Sequence, residues 1–270
     1  MKTKKFIATI LIVLSIGFIY TGRRKNDREQ QTDTSTARDN AEAQSVFSGI
    51  WKQIAEATDS SNVLRSSCAS TTIVPYDTVT WPKTLTIDFG TTNCLCTDGN
   101  YRKGIITAVF SGPYRDSTTV ITVTLTNYYH NDNLIQGTQT ITNKGHNTSN
   151  NLVYNVVVNN ATYTTSNGNM SWSTNQNREW IAGENTSSNL LDDVYLITGT
   201  ANGRGINGNA YTIAINSPLR AELNCQWIVS GSFTVSPQNY PSIVFDYGSG
   251  TCDNQATAVL NAKTYTITLY

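Results

Sequence analysis

One pattern occurs twice in this sequence and constrains it more than any other feature. Asp88-Phe89-Gly90-Thr91-Thr92-Asn93-Cys94 and Asp246-Tyr247-Gly248-Ser249-Gly250-Thr251-Cys252 both read Asp-aromatic-Gly-x-x-x-Cys. Each follows a β-type run, Leu85-Thr86-Ile87 or Ile243-Val244-Phe245, with a proline just upstream at Pro82 or Pro241. Each copy also has a second cysteine at nearly the same distance before it, Cys68 standing 26 positions ahead of Cys94 and Cys225 standing 27 ahead of Cys252. The repeat therefore pairs Cys68 with Cys94 and Cys225 with Cys252 and leaves Cys96 over, with Cys68 to Cys96 as the weaker alternative. Closing a loop of that size contributes about 3.5 kcal/mol per bridge in the chain-entropy model. Such bridges belong to an oxidising compartment.

Each repeat also places an Asp two residues before a Gly, a combination that suits a tight turn in which the carboxylate accepts a backbone N–H. The other reading is a calcium site, with Asp88, Asn93 and Asp98, or Asp246 and Asp253, supplying oxygens to a hard cation, although neither loop has the spacing of an EF-hand. A zinc site built on Cys94 and Cys96 lacks a second pair of close ligands, and the chain has only two histidines, His130 and His146.

The body of the chain reads as strands. Ile121-Thr122-Val123-Thr124-Leu125-Thr126, Tyr211-Thr212-Ile213-Ala214-Ile215 and Tyr265-Thr266-Ile267-Thr268-Leu269 alternate in the period-2 manner of half-buried strands. Trp227, Val229, Phe233 and Val235 share one face of another. Turn signals separate such runs, at Gly112-Pro113, Asn131-Asp132-Asn133, Ser149-Asn150-Asn151, Asn167-Gly168 and Asn207-Gly208. Residues 199–204 and 258–265 read as further hairpins. About a dozen strands at antiparallel spacing, with no strand-helix-strand rhythm, predict an all-β fold: an antiparallel β-sandwich or a long curled antiparallel sheet.

The N-terminal region is different. Lys2, Lys4 and Lys5 precede an apolar run from Phe6 to Tyr20, about the length of a signal-peptide core and short for a membrane span. Residues 1–22 are read as this leader, and export follows. Residues 23–42 are polar without periodicity and predict a flexible spacer. Residues 43–58 place Val46, Phe47, Ile50, Trp51 and Ile54 on one stripe, which predicts a short amphipathic helix. Residues 59–270 form the β domain. The formal charge of zero hides a split: residues 1–40 hold eight Lys/Arg against four Asp/Glu, and the rest eleven against fifteen. An acidic body does not match nucleic acid, which calls for a cationic face.

Several stretches resemble a known family. Tyr20-Thr21-Gly22 looks like the end of a bacterial lipoprotein signal, with Arg23 standing where the lipid-bearing cysteine would be. Pro82 through Gly90, Cys94, Asp98-Gly99, Arg102-Lys103-Gly104, Tyr114-Arg115, Asn127-Tyr128-Tyr129 and Thr140-Ile141-Thr142-Asn143 resemble secreted lipoproteins of Bacteroidota-type bacteria. Leu191-Asp192-Asp193-Val194-Tyr195, Asn224-Cys225-Gln226-Trp227 and Asp246 through Asn254 resemble the second half of the same family. The resemblance implies an all-β protein of the cell envelope and carries no activity with it. Two departures are Arg23 and Asn261-Ala262, where a hairpin Asn-Gly would be usual. Arg23 leaves a lost lipid, ordinary cleavage nearby, or an uncleaved anchor as the membrane contact.

No nucleophile elbow, zinc-protease helix or phosphate loop occurs, no cofactor is expected, and the chain is not read as an enzyme. Asp192-Asp193 could suggest a carbohydrate-active hydrolase using paired carboxylates, but neighbours on a strand point to opposite faces and cannot flank one bond. Trp172 and Trp180, with Arg178 between them, could offer a sugar-stacking face, set against the alternative of core tryptophans. The sequence thus predicts an exported envelope or surface protein, outer-membrane, surface or periplasmic, whose role is structural or the binding of a glycan or surface protein.

Overall fold

The computed structural model describes residues 22–58, 69–186 and 189–269, with side chains in the first segment from residue 34 onward. The leader and Cys68 lie outside the described residues. Alternation and turn chemistry build fourteen strands: β1 (Ser70–Val74), β2 (Lys83–Asp88), β3 (Cys94–Leu95), β4 (Tyr101–Phe110), β5 (Val120–His130), β6 (Asn133–His146) and β7 (Leu152–Thr165) in the first half. The second half adds β8 (Gly168–Ala182), β9 (Val194–Arg204), β10 (Ala210–Glu222), β11 (Ile228–Pro237), β12 (Ile243–Ser249), β13 (Gln255–Leu260) and β14 (Lys263–Thr268). They form a single sheet in chain order, every neighbour antiparallel, with the short β3 beside β4. β1 and β14 are the two edges, and the sheet does not close into a barrel.

The turn chemistry works as expected at most sites. Asn131 and Asp132 both take positive φ, 47° and 65°, in the two-residue turn between β5 and β6. One predicted hairpin is corrected: residues 199–204 lie within β9 and pair across their length with β8. The glycine at 203 serves close approach and not a turn, because a Cβ there would stand 2.2 Å from the Ser171 carbonyl oxygen.

The helix differs most from expectation. α1 (Gly22–Thr58) is 37 residues long, so the stretch read as a flexible spacer is helical and the helix is not short. The stripe at Val46, Phe47, Ile50, Trp51 and Ile54 is buried as expected, but the same stripe continues upstream through Asn40, Ala41, Thr36 and Ala37, all buried. From residue 34 to residue 57 only Arg38 is exposed. A helix so covered is normally apolar all round. This one is not, because the sheet face it meets is itself polar. On β8 the inward positions include Trp172, Thr174, Gln176 and Arg178. Trp172 Nε1 donates to Asn40 Oδ1 at 2.9 Å, Gln176 Nε2 to Gln44 Oε1 at 2.7 Å, and Arg178 Nη2 to Ser48 Oγ at 3.3 Å. Acceptors four residues apart on the helix thus meet donors on one face of the strand, satisfying groups whose unpaired burial would cost about 1–3 kcal/mol each. Tyr163 of β7 donates to Glu42, and Asp39 accepts from the Ile206 N–H between β9 and β10.

The repeat is structural. Gly90 N–H donates to Asp88 Oδ1 at 2.8 Å and Gly248 N–H to Asp246 Oδ1 at 2.7 Å, with positive φ at both glycines. The aromatic between them, Phe89 or Tyr247, is buried in each copy. Cys225 and Cys252 are bonded, Cys94 is also in a disulfide whose partner lies outside the described residues, and Cys96 is a buried free thiol.

Candidate functional site

Four separated segments converge at the C-terminal end of α1. Trp51, Ile54, Ala55 and Thr58 of the helix, Phe110 at the end of β4, Pro113 to Arg115 in the β4–β5 turn, Trp180 of β8, and Leu190, Asp193 and Tyr195 around the start of β9 line a cavity of about 340 Å3. The turn is held in place locally. Asn143 Nδ2 donates to the Tyr114 carbonyl oxygen at 3.0 Å, and Thr119 Oγ1 donates to that of Pro113 at 2.8 Å. Asp193 is fixed from behind by Gly183, whose φ is 92° and where a Cβ would meet the Asp193 carboxylate at 2.1 Å. Leu223 N–H donates to the Asp193 carbonyl oxygen at 3.1 Å.

The walls are aromatic and mutually packed. Tyr114 stacks on Tyr154 with centroids 4.7 Å apart, Trp180 on Tyr195 at 5.5 Å, and Trp51 lies tilted against Tyr114 at 5.2 Å. The Arg115 guanidinium sits 4.7 Å from the Trp180 ring centre and donates to the Glu184 carbonyl oxygen. Trp180 and Tyr195 turn their polar atoms to the Asp193 carboxylate, and Tyr114 turns its hydroxyl to Tyr154 and Tyr195. Burial, reinforced by the charge of Asp192, pushes the Asp193 carboxyl up to about 7. Burial likewise drives Tyr114 and Tyr195 well above the ordinary phenol range. A second apolar cavity of about 210 Å3, lined by Ile73, Trp81, Lys83 and Leu85, shares Thr58, Phe110 and Tyr114 with the first. An apolar concavity with a few converging polar groups is the usual form of a small-molecule site, and its volume is at the low end of the roughly 300–1,000 Å3 such sites span.

No family model, no curated protein and no solved structure matches this chain.

The residues singled out from the sequence are divided among different places. Trp180 lines the cavity, whereas Trp172 stacks on Phe47 at 5.4 Å and is spent on Asn40. Arg178 is buried and donates to Ser48 of the helix. Of the two readings, a sugar-stacking face or core tryptophans, burial favours the core: Trp172, Trp180 and Arg178 all point inward on β8, because they occupy positions of one parity on a strand whose inner face is covered by α1. The calcium candidates are not assembled. Asp98 is engaged by Arg102 through two hydrogen bonds of 2.7 Å. Its burial alone would raise the carboxyl, but those bonds outweigh it and hold Asp98 down at about 2. Asn93 donates to Asp132. Asp246 and Asp253 do share the rim of a cavity of about 210 Å3, yet each uses Oδ1 to accept a backbone N–H, from Gly248 and Gln255. Among the described residues no group of three His, Cys, Asp or Glu stands close enough to hold a metal.

Sequence reasoning missed Trp51, Tyr114, Arg115 and Tyr195 as a site. Trp51 was legible as a core residue, and Tyr114-Arg115 and Tyr195 only as parts of a resemblance. Their convergence depends on the seating of α1, which no local pattern encodes.

Proposed function

We propose that this chain is an exported envelope or surface protein that binds a sugar ring in the cavity between Trp51, Tyr114, Trp180 and Tyr195. The observation that carries the reading is the convergence of those aromatic side chains around one carboxylate, Asp193, which Trp180 and Tyr195 face with their polar atoms. Aromatic surface matches the apolar side of a pyranose, and the Asp193 carboxyl with the polar atoms around it matches its hydroxyls. Export is supported by the lysine-flanked apolar leader, by the disulfide and by the resemblance to secreted lipoproteins.

The rival is a hydrolase using paired carboxylates. Asp193 is the one carboxylate lining the cavity, while Asp192 is exposed on the short 3-10 turn and accepts from Thr186 Oγ1 at 2.8 Å. A glycosidic bond needs two carboxylates flanking it, so the arrangement favours binding. The test is thermal unfolding of the full chain against a panel of neutral and acidic mono- and disaccharides. A ligand at 100 times its Kd stabilises the folded state by about 2.7 kcal/mol. At least one sugar is expected to raise Tm, and Trp180→Phe, which keeps a ring and removes the N–H, is expected to reduce the rise. No rise with any sugar would remove this reading.

A further inference from the structure

The cavity at Asp193 shares a wall with one of opposite character. Thr58, Phe110 and Tyr114 line both it and the apolar cavity of about 210 Å3 at Ile73. In that second cavity Ile73, Leu85 and Phe110 offer hydrocarbon alone. Three other lining residues have polar atoms, but these are spent inside the protein. Thr58 Oγ1 donates to the carbonyl oxygens of Ile54 and Ala55 at 3.1 and 2.9 Å. Lys83 Nζ donates to the Pro75 carbonyl oxygen at 3.0 Å and to that of Asp77, so its methylene stem serves as wall. The Tyr114 hydroxyl is turned to Tyr154 and Tyr195. Among these lining side chains the Trp81 indole N–H alone is left over, one donor where a sugar ring presents several hydroxyls. A pyranose seated at Ile73 would therefore bury hydroxyls without partners, which is costly, whereas a hydrocarbon group loses nothing there. The surroundings agree. Ile73 and Trp81 stand at either side of residues 74–80, and this connection exposes Val74, Tyr76 and Val79 at 65%, 94% and 80%. An apolar chain leaving the cavity has a surface to follow.

We infer that the ligand is an amphiphilic glycoside: its sugar ring occupies the cavity at Asp193, and its apolar aglycone crosses the shared wall at Phe110 and Tyr114 into the cavity at Ile73. The inference rests on the sugar-binding reading and deepens it. The first cavity recognises the ring, the second supplies affinity for whatever hydrocarbon the ring carries, and a free sugar uses only half of the site.

The experiment is calorimetric titration of the purified full chain with methyl, butyl and hexyl β-glucosides and β-galactosides below their micellar concentrations, beside hexanol and the Ile73→Phe variant. Each methylene withdrawn from water is worth about fourfold in affinity, so the butyl glycoside is expected to bind at least about tenfold more tightly than the methyl one. Ile73→Phe fills the second cavity with a larger apolar ring on a strand that tolerates it. Ile73 does not line the cavity at Asp193, so this variant is expected to bind the methyl glycoside as the parent does and to lose the gain with chain length. Should it fail to fold, Trp81→Ala, which removes a half-buried wall of the same cavity, is expected to shrink that gain. Equal binding of methyl, butyl and hexyl glycosides would overturn the inference and leave sugar binding standing. Retention of the full gain in Ile73→Phe, or in Trp81→Ala if only that variant folds, would overturn it too. Hexanol binding as tightly as the hexyl glycosides, or no binding of any glycoside, would remove the sugar reading and this inference together.

Discussion

At the residue scale, Asp193 sits in the cavity with its carboxyl raised to about 7, by burial first and the Asp192 charge second. In the unfolded chain the same group titrates near 4. Between those values the folded state holds more protons than the unfolded one, so this group's contribution to stability is present at low pH and is lost as pH rises through about 7. Glu56, raised by burial to about 7, acts in the same direction, whereas His130, lowered by burial to about 4, acts in the opposite one below its unfolded value of about 6.5. Asp193→Asn fixes the site in its neutral form. The variant should match the parent chain near pH 4 and exceed it at pH 8 by about 1 kcal/mol, or ~2–4 °C in Tm, allowing for solvent screening at the cavity. Thermal melts of both proteins across that pH range check it, and a constant difference would show that Asp193 is not the titrating group.

At the element scale, the hairpin between β13 and β14 carries a testable local conflict. Leu260 pairs with Lys263, leaving Asn261 and Ala262 as the two turn residues, with φ of 49° and 62°. Both positions are left-handed, as a type I′ turn requires, and alanine has a Cβ that this region disfavours. Ala262→Gly should raise stability by about 1 kcal/mol, read as a higher denaturant midpoint with an unchanged m value; a lower midpoint would show that the loss of chain stiffness outweighs the relief. This departure from Asn-Gly was visible in the sequence, as were the strands, the paired Cys225 and Cys252, and the Asp-x-Gly turns, because each depends on local chemistry or on repetition. The upstream half of α1 was not legible. Asn40, Gln44 and Ser48 read as solvent-facing by type, and only their partners on β8, more than a hundred residues away, make them interior groups. The aromatic cavity escaped for the same reason, being assembled from four segments distant in sequence.

At the scale of the whole molecule, α1 is part of the core and not an attachment to it. Ala37, Phe47, Ile50, Trp51 and Ile54 are buried in the same cluster as the sheet's inner side chains. Burying each large apolar side chain is worth roughly 1.5–3 kcal/mol, and a domain's entire net stability is about 5–15 kcal/mol. A chain beginning at residue 59 is therefore expected to show no cooperative thermal transition and to bind a hydrophobic dye, as measured by calorimetry and fluorescence. A cooperative melt near that of the full chain would contradict the central role of the helix.

The strict chain order of the sheet has a further consequence for assembly. Each strand pairs with the one just before it in the chain, apart from the small detour at β3, so hairpins close over short separations and the sheet can lengthen strand by strand from its first half. The helix is the exception: it is made first, yet β8 and β11 to β13, against which it packs, come late. During that interval it has no cover, and a wholly apolar helix would be prone to aggregate. Its amides, hydroxyls and carboxylates keep it compatible with water until the sheet arrives, and then become the hydrogen-bonding groups by which the sheet seats it.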